Sequence, residues 1–255
     1  MRRRYDLTEH EWSIIQPLLP QKSRGVPRVD DRRVINGILY RFRTGVAWAD
    51  IPERYGPHKT CYNRFVRWQR AGHWQAILDA VTETYGELIM IDSTMMRVHQ
   101  HGATAKKGGV DHGVGRSRGG LTTRLHALVD GCGRPVALKL TPGQVHDSKV
   151  AGDMLAQLVP GQILMADKAY DSNAILATIR ARGATPNIPA KAPRKLPHAN
   201  DRALYRRRNI IERFFNKLKQ YRGLATRYDK HAETFMAGVT LAAIRIAIRA
   251  NESTA

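Results

Sequence analysis

Apolar residues recur at three- and four-residue spacing through the first third of the chain. Val34, Ile35, Ile38, Leu39 and Phe42 fall on one face of a helical repeat, and Gly45 closes the segment. Ahead of it, Thr8 with Glu11 has capping-box spacing and Leu7 with Trp12 occupies staple positions, which predicts a helix from Glu9 to near Pro17. A basic loop, QKSRGVPR, joins the two. A short helix around Trp48 to Glu53 then meets the turn Tyr55-Gly56-Pro57, and Thr60 caps a helix through Arg70 that carries Tyr62, Phe65 and Trp68. Helix, tight turn, helix makes a helix-turn-helix-like segment. Lys59, Asn63, Arg64, Arg67 and Arg70 give its second helix a polar side suited to DNA recognition. A solvated basic helix of a small bundle fits the same pattern, and both readings stand at this stage.

From Glu87 the pattern changes to short unbroken apolar runs punctuated by Gly and Pro. Leu88 to Ile91 ends in Asp92, and Ile163 to Ala166 ends in Asp167. Leu125 to Val129 and Val136 to Leu140 flank Asp130-Gly131-Cys132-Gly133, which reads as a hairpin. Helices are expected over 147–158 and 171–182, a last strand over 185–188, a Pro-rich linker over 189–200, and helices over 203–222 and 232–250. Hairpin strands beside strands linked by helices make an α/β fold with a mixed sheet. The domains expected are 1–86, helical, and 87–255, built on the sheet.

Charge sharpens the picture. The 255 residues hold 42 Lys and Arg against 22 Asp and Glu, a net +20, with 42% hydrophobic residues. That excludes an acidic disordered chain and points to a folded binder of polyanions. Cys61 and Cys132 lie far apart without metal-ligand spacing, so a zinc ribbon and a disulfide scaffold are both excluded, and a reducing cytoplasm is the expected compartment. No signal sequence opens the chain, and Arg245 interrupts the best apolar stretch, 235–248, so no membrane partner is expected.

Three acids stand out. An aspartate closing a strand buried on both faces costs free energy unless something positive meets it. Neighbouring strands lie ~4.8 Å apart, and paired metal ions in phosphoryl-transfer sites lie ~3.5–4 Å apart. Asp92 and Asp167 at the same end of adjacent strands could therefore flank a metal pair; each could equally open a turn. From 88 to 211 there is no glutamate, and then Glu212 appears in a segment, 188–230, with thirteen Lys and Arg against three Asp and Glu. On one helix, Tyr205, Arg208, Glu212 and Lys219 share a narrow stripe, while Arg206, Arg213 and Lys217 project from another side. An ordinary Arg208–Glu212 surface pair remains open.

The strings IMIDST, GRSRGGLTTRLHALVD, ADKAYDS and YRRRNIIERFFNKLK resemble the insertion-sequence five (IS five) family of bacterial DDE transposases, and YDLTEHEWSIIQPLLP with GILYRFRTGVAWADIPERYGPHKTCYNRFVRW resembles its N-terminal region. The most specific element is Y-x2-R-x3-E-x6-K, filled by Tyr205, Arg208, Glu212 and Lys219. The resemblance implies an RNase H-like core with Asp92, Asp167 and Glu212 as catalytic, metal-holding acids. It implies two Mg²⁺ (or Mn²⁺) ions, binding of terminal inverted repeats, cleavage and strand transfer into target DNA, and a homodimer or higher multimer on DNA, with the protein cytoplasmic and nucleoid-associated. Arg208 and Lys219 are expected on DNA phosphate near the cut, with Tyr205 orienting a phosphate or stacking on a base; Arg213 and Lys217 are expected on DNA as well, and Lys59, Asn63, Arg64 and Arg67 on the repeat. An RNase H-like endonuclease without strand transfer and a non-catalytic repressor remain as alternatives.

Other features say less. His99, His101 and His146 have no third ligand in reach by sequence. The basic, glycine-rich loop 102–120, with Lys106, Lys107, Arg116 and Arg118, lacks a P-loop pattern, so nucleotide hydrolysis is not supported; DNA contact and a plain hairpin insertion both fit it.

Overall fold

The computed structural model describes residues 4–21, 28–83, 86–103, 112–192, 194 and 200–252. Most of the loop QKSRGVPR, Lys106 and Lys107, and most of the Pro-rich linker therefore lie outside the described residues. In chain order the helices are α1 (Glu9–Ile15), α2 (Asp31–Thr44), α3 (His58–Arg70), α4 (His73–Val81), α5 (Asp147–Leu155), α6 (Asn173–Ala181), α7 (Arg202–Tyr205), α8 (Asn209–Lys219), α9 (Arg222–Ala225) and α10 (Ala232–Glu252). The strands are β1 (Leu88–Val98), β2 (Gly115–Ser117), β3 (Gly120–Asp130), β4 (Pro135–Pro142), β5 (Ile163–Met165), β6 (Thr185–Asn187) and β7 (Thr226–Arg227). They divide into two compact units, one of Met1–Glu83, Val98–His112 and Lys217–Arg249, the other of Thr84–Arg97, Gly113–Asn216 and Ala250–Ala255. The first boundary lies beside the expected 86/87 division, whereas α10 clusters with the N-terminal helices.

In the helical unit, Thr8 Oγ1 accepts from Glu11 N at 2.8 Å and Glu11 Oε2 accepts from Thr8 N at 2.9 Å, completing the expected capping box. Glu11 is fully buried, and its other oxygen accepts from Arg245 Nε at 2.8 Å and Arg249 Nε at 2.7 Å. The charge that interrupts the apolar stretch of α10 is thus the partner of the capping glutamate. Phe42 and Ile38 on α2, Phe65 on α3 and Phe235 on α10 are buried. Gly238 of α10 lies so close to the Phe42 ring that a Cβ there would meet it at 2.4 Å, which explains a glycine in mid-helix despite its entropic cost.

Two expectations in this unit change. The helix expected from Trp48 to Glu53 is two separate 3-10 turns, Trp48–Asp50 and Glu53–Tyr55. Thr60 does not cap α3, which begins at His58 directly after Pro57, a residue whose fixed φ suits a helix entrance.

The second unit is built on the mixed sheet. β4, β3 and β1 run antiparallel in succession, and β5 then β6 continue parallel to β1; β2 also pairs with β3. This is the RNase H-like arrangement. β1 extends well past the four-residue apolar run, to Val98, because Thr94, Met96 and Val98 continue an alternation that pairs with β3 as far as Arg97–Thr122. Ile89 and Ile91 on one face join Leu155, Leu164 and Ile179 in the core under α5 and α6. The expected helix over 203–222 is broken: a 3-10 turn at Arg206–Arg208, where three like charges follow one another, separates α7 from α8, and α9 is distinct.

Candidate active site

The register of β1 and β5 fixes the first two acids. Met90 pairs with Met165 in the parallel ladder, so Asp92 and Asp167, each two residues further, come off equivalent positions on neighbouring strands. Two residues keep the same face. Asp167 Oδ1 accepts from Ala169 N at 2.8 Å, so it also caps the 3-10 turn Lys168–Tyr170. Turn opening and proximity to Asp92 are therefore compatible in one residue.

Asp92 is half-buried. Its Oδ1 accepts from Ser93 N at 2.8 Å and its Oδ2 from Arg208 Nη1 at 2.8 Å. Burial pushes its carboxyl above the ordinary value, the Ser93 amide and Arg208 oppose that, and the nearby charge of Asp167 adds to it. The other arm of Arg208 pairs with Glu212 one turn along α8. One guanidinium thus ties the strand aspartate to the helix glutamate. The i, i+4 surface pair left open by the sequence exists, but it is half of a longer bridge. Tyr205 lies beneath the same guanidinium, 5.9 Å from ring centroid to Cζ.

The site fits a divalent cation by its chemistry. Its donors are carboxylate oxygens, which suit hard ions, and Asp92 and Glu212 already share one positive charge. Among the described residues no three His, Cys, Asp or Glu side chains gather closely enough to hold an ion as they stand.

On the face of β1 that carries Ser93 lies a polar cluster that the sequence did not reveal. Asp147, the first residue of α5, accepts from Ser93 Oγ at 2.6 Å and from Arg124 Nη1 at 2.7 Å, with His126 Nδ1 3.6 Å away. His126 Nε2 lies 2.8 Å from Thr141 Oγ1. Tyr170 is buried and its hydroxyl has no hydrogen-bond partner among the described residues. Burial raises its pKa, and the charges of Asp147, Asp92 and Asp167 add to that. The available signals were Ser93 beside Asp92 and the His146-Asp147 pair; the cross-strand meeting of β1, β3 and β4 that unites them has no local signature.

The remaining expected residues separate by exposure. Arg213, Lys217 and Lys219 are exposed on α8, the last two where the chain passes into the helical unit. On α3, Lys59, Asn63 and Arg67 are exposed. Arg64 is not: it is buried, donates to Val29 O at 2.7 Å and pairs with Asp31. Its expected place on DNA is corrected by that burial, since an internal ion pair already occupies the guanidinium. His99 stacks on Tyr228 and His101 packs edge-on to His99, while His146 is exposed ahead of α5. Arg116 and Arg118 are exposed near the β2–β3 turn. Among the described residues no helix is long and apolar enough to cross a membrane.

Comparison with known proteins agrees with this geometry. The family described as "Putative transposase of IS4/5 family" matches residues 7–78, and the family described as "Transposase DDE domain" matches residues 85–246. The chain is similar to a "Putative transposase for insertion sequence element IS6501" of Brucella ovis, 40% identical over 130 residues that cover 51% of this chain and 100% of that protein. It is also similar to "Uncharacterized protein y4sN" of Sinorhizobium fredii, 35% identical over 104 residues that cover 40% of this chain and 83% of that protein. Among solved structures, the piggyBac transposase in a synaptic complex with hairpin DNA has a TM-score of 0.58 at 8% identity, over 96% of this chain and 70% of that one, a likeness of fold alone.

Proposed function

The chain belongs to the DDE transposases, and on that premise we propose that it binds the terminal inverted repeats of its own insertion sequence and cuts and joins DNA there through Asp92, Asp167 and Glu212. The observation that carries this reading is Arg208, which bridges Asp92 and Glu212, with Asp92 on the strand next to the one that leads into Asp167. Divalent metal dependence comes with the family. Asp92, Asp167 and Glu212 would hold two Mg²⁺ (or Mn²⁺) ions, which supply activation of the attacking water or 3′-hydroxyl and relief of charge on the leaving oxygen.

The chain's own groups do the rest. Arg208 offers two donor arms that match a phosphate as well as they match carboxylates. In the bound state it turns toward the scissile phosphate, with Tyr205 supporting it and Lys219 holding phosphate further along the helix. Arg213 and Lys217 track the backbone. Lys59, Asn63 and Arg67 on α3 read the repeat, so that 1–86 serves recognition and 87–255 carries the chemistry, and the protein works as a homodimer or higher multimer on DNA.

The test incubates the full chain with Mg²⁺ and a duplex carrying the DNA that flanks its gene, beside a supercoiled target plasmid. Breaks at the repeat ends and joined products are expected from wild type, and neither from Asp92→Asn. Breaks without joining would reduce the protein to an endonuclease. Tight binding with no breaks in wild type would make it a repressor.

A further inference from the structure

The helical unit contains a cavity of about 570 Å³ that the DDE reading does not use. That volume falls within the range of small organic ligand sites, ~300–1,000 Å³. Its walls combine rings with positive charge. Tyr62 and Tyr228 line it with 42% and 40% of their surfaces in solvent, unusually open for aromatic residues among the described ones. Neither ring is loose. Tyr228 stacks on His99 at 4.7 Å and 28° between planes, and Tyr62 packs edge-on to Trp48 at 5.3 Å. Trp48 also lines the cavity, with the Arg41 guanidinium 5.1 Å from its ring centroid.

Arg41 is the second observation. It is 4% exposed, lines the cavity and is paired with the buried Asp229 at 3.3 Å, yet its Nε finds no acceptor among the described residues. That Nε is itself closed to solvent, so Arg41 brings positive charge to the cavity wall and not an open donor. Lys230, exposed, adds a further positive charge to the same lining.

Fixed aromatic faces and cations together select a ligand that is planar and anionic. A nucleotide has both properties. In a duplex, however, base faces are covered by their neighbours, so only an unpaired base can lie against these rings. Resting on the reading of the chain as a transposase, we infer that this cavity takes one unpaired nucleotide of the DNA substrate, the base against Tyr62, Trp48 and Tyr228 and the phosphate toward Lys230. A free mononucleotide would have the base but not the long phosphate backbone that the +20 charge of the chain attracts.

The test measures anisotropy of the full chain on a labelled duplex with one bulged adenosine and on its fully paired counterpart. Base stacking on aromatic side chains predicts about tenfold tighter binding of the bulged duplex by wild type. Tyr62→Ala and Tyr228→Ala should bring the two affinities within about twofold while binding the paired duplex as wild type does, and Tyr228→Phe, which keeps the ring, should retain the preference. Circular dichroism of each variant checks its fold, and both tyrosines are open enough for truncation to be tolerated. Equal affinity of wild type for both duplexes, or a preference surviving the double alanine variant, overturns the cavity's role and leaves the transposase reading intact. Failure to bind either duplex overturns both.

Discussion

Arg208 Nη1 donates to Asp92 Oδ2 at 2.8 Å across 116 residues of sequence, while its other nitrogen holds Glu212. Without a cation between them, a half-buried strand carboxylate and a helix carboxylate would repel; the guanidinium that holds both offsets that repulsion. The acids are thus arranged around a positive charge before any ion is bound.

Glu212→Gln tests whether that arrangement is catalytic. The side chain of Glu212 is 53% exposed, so its pairing with Arg208 contributes only a few tenths of a kcal/mol to stability. The variant should melt as wild type does and bind repeat DNA normally, with cleavage lowered by orders of magnitude. Glu233, exposed in the first turn of α10, is the control and should tolerate Gln. Near-normal cleavage by Glu212→Gln would sink the triad.

Divalent ions should stabilise the folded chain, since they bind the folded site and not the unfolded chain. Scanning calorimetry with and without Mg²⁺ should show a rise in Tm that Asp92→Asn and Asp167→Asn each diminish. The ion competes with Arg208 for Asp92, so Arg208→Ala should steepen the response even as it lowers the ion-free Tm. A wild-type Tm indifferent to Mg²⁺ under cleaving conditions would count against the three acids as ligands.

Much of this was readable in the chain because its signals are local. The capping box of Thr8 and Glu11, the apolar run ending at Asp92 and the Asp130–Gly133 hairpin depend on neighbours within a few positions. What escaped depends on long-range pairing. The burial of Arg64 is set by Asp31, and an exposed-looking arginine stripe on α3 gives no hint of it. Asp147 becomes a hub only when β1, β3 and β4 align Ser93, Arg124, His126 and Thr141 around it. The break at Arg206–Arg208 escaped because helical periodicity continues on either side of it.

Arg64 and Arg67 should part company experimentally. Arg67→Ala leaves an exposed position, so its Tm should stay put while repeat binding weakens and the salt dependence of log K flattens by about one unit per lost phosphate contact. Arg64→Ala removes a buried donor to Val29 O and the partner of Asp31, which should cost about 1–3 kcal/mol of stability. A stable Arg64→Ala protein with selectively weakened DNA binding would reverse the assignment.

His126 should stay neutral well into acid. Burial pulls its pKa down to about 4; Asp147 opposes this, and Arg124 and Lys139 reinforce it. The unfolded value is ~6.5, so the folded state favours the neutral ring. Its contribution to stability is complete above that pH and declines as pH falls from ~6.5 toward 4. Histidine NMR resonances at pH 5.5 should show His126 unprotonated, and urea midpoints should fall between pH 7 and 5 by more in wild type than in His126→Asn. A ring that titrates near 6.5 would contradict this environment.

The N-terminal helices should not fold without α10. Glu11, fully buried, completes its capping box with one oxygen and meets Arg245 and Arg249 with the other. Burial raises its pKa, but the two arginines and the Thr8 amide outweigh that and hold it below the ordinary value. Arg245 further donates to the backbone carbonyls of Tyr5 and Asp6 at 2.7 Å each. Removing one member of such a buried network leaves an uncompensated charge and costs about 3–5 kcal/mol. Arg245→Ala should therefore lower the Tm by roughly ten degrees at neutral pH. The loss should shrink as pH falls through the carboxyl range, because protonated Glu11 no longer needs the partner. A fragment of residues 1–86 lacks both arginines and the Gly238 surface against Phe42. It should show weak helical signal and no cooperative melt, whereas the full chain melts cooperatively. A 1–86 fragment with a sharp transition and selective affinity for the terminal repeats would show that the recognition region folds independently and that α10 is dispensable to it.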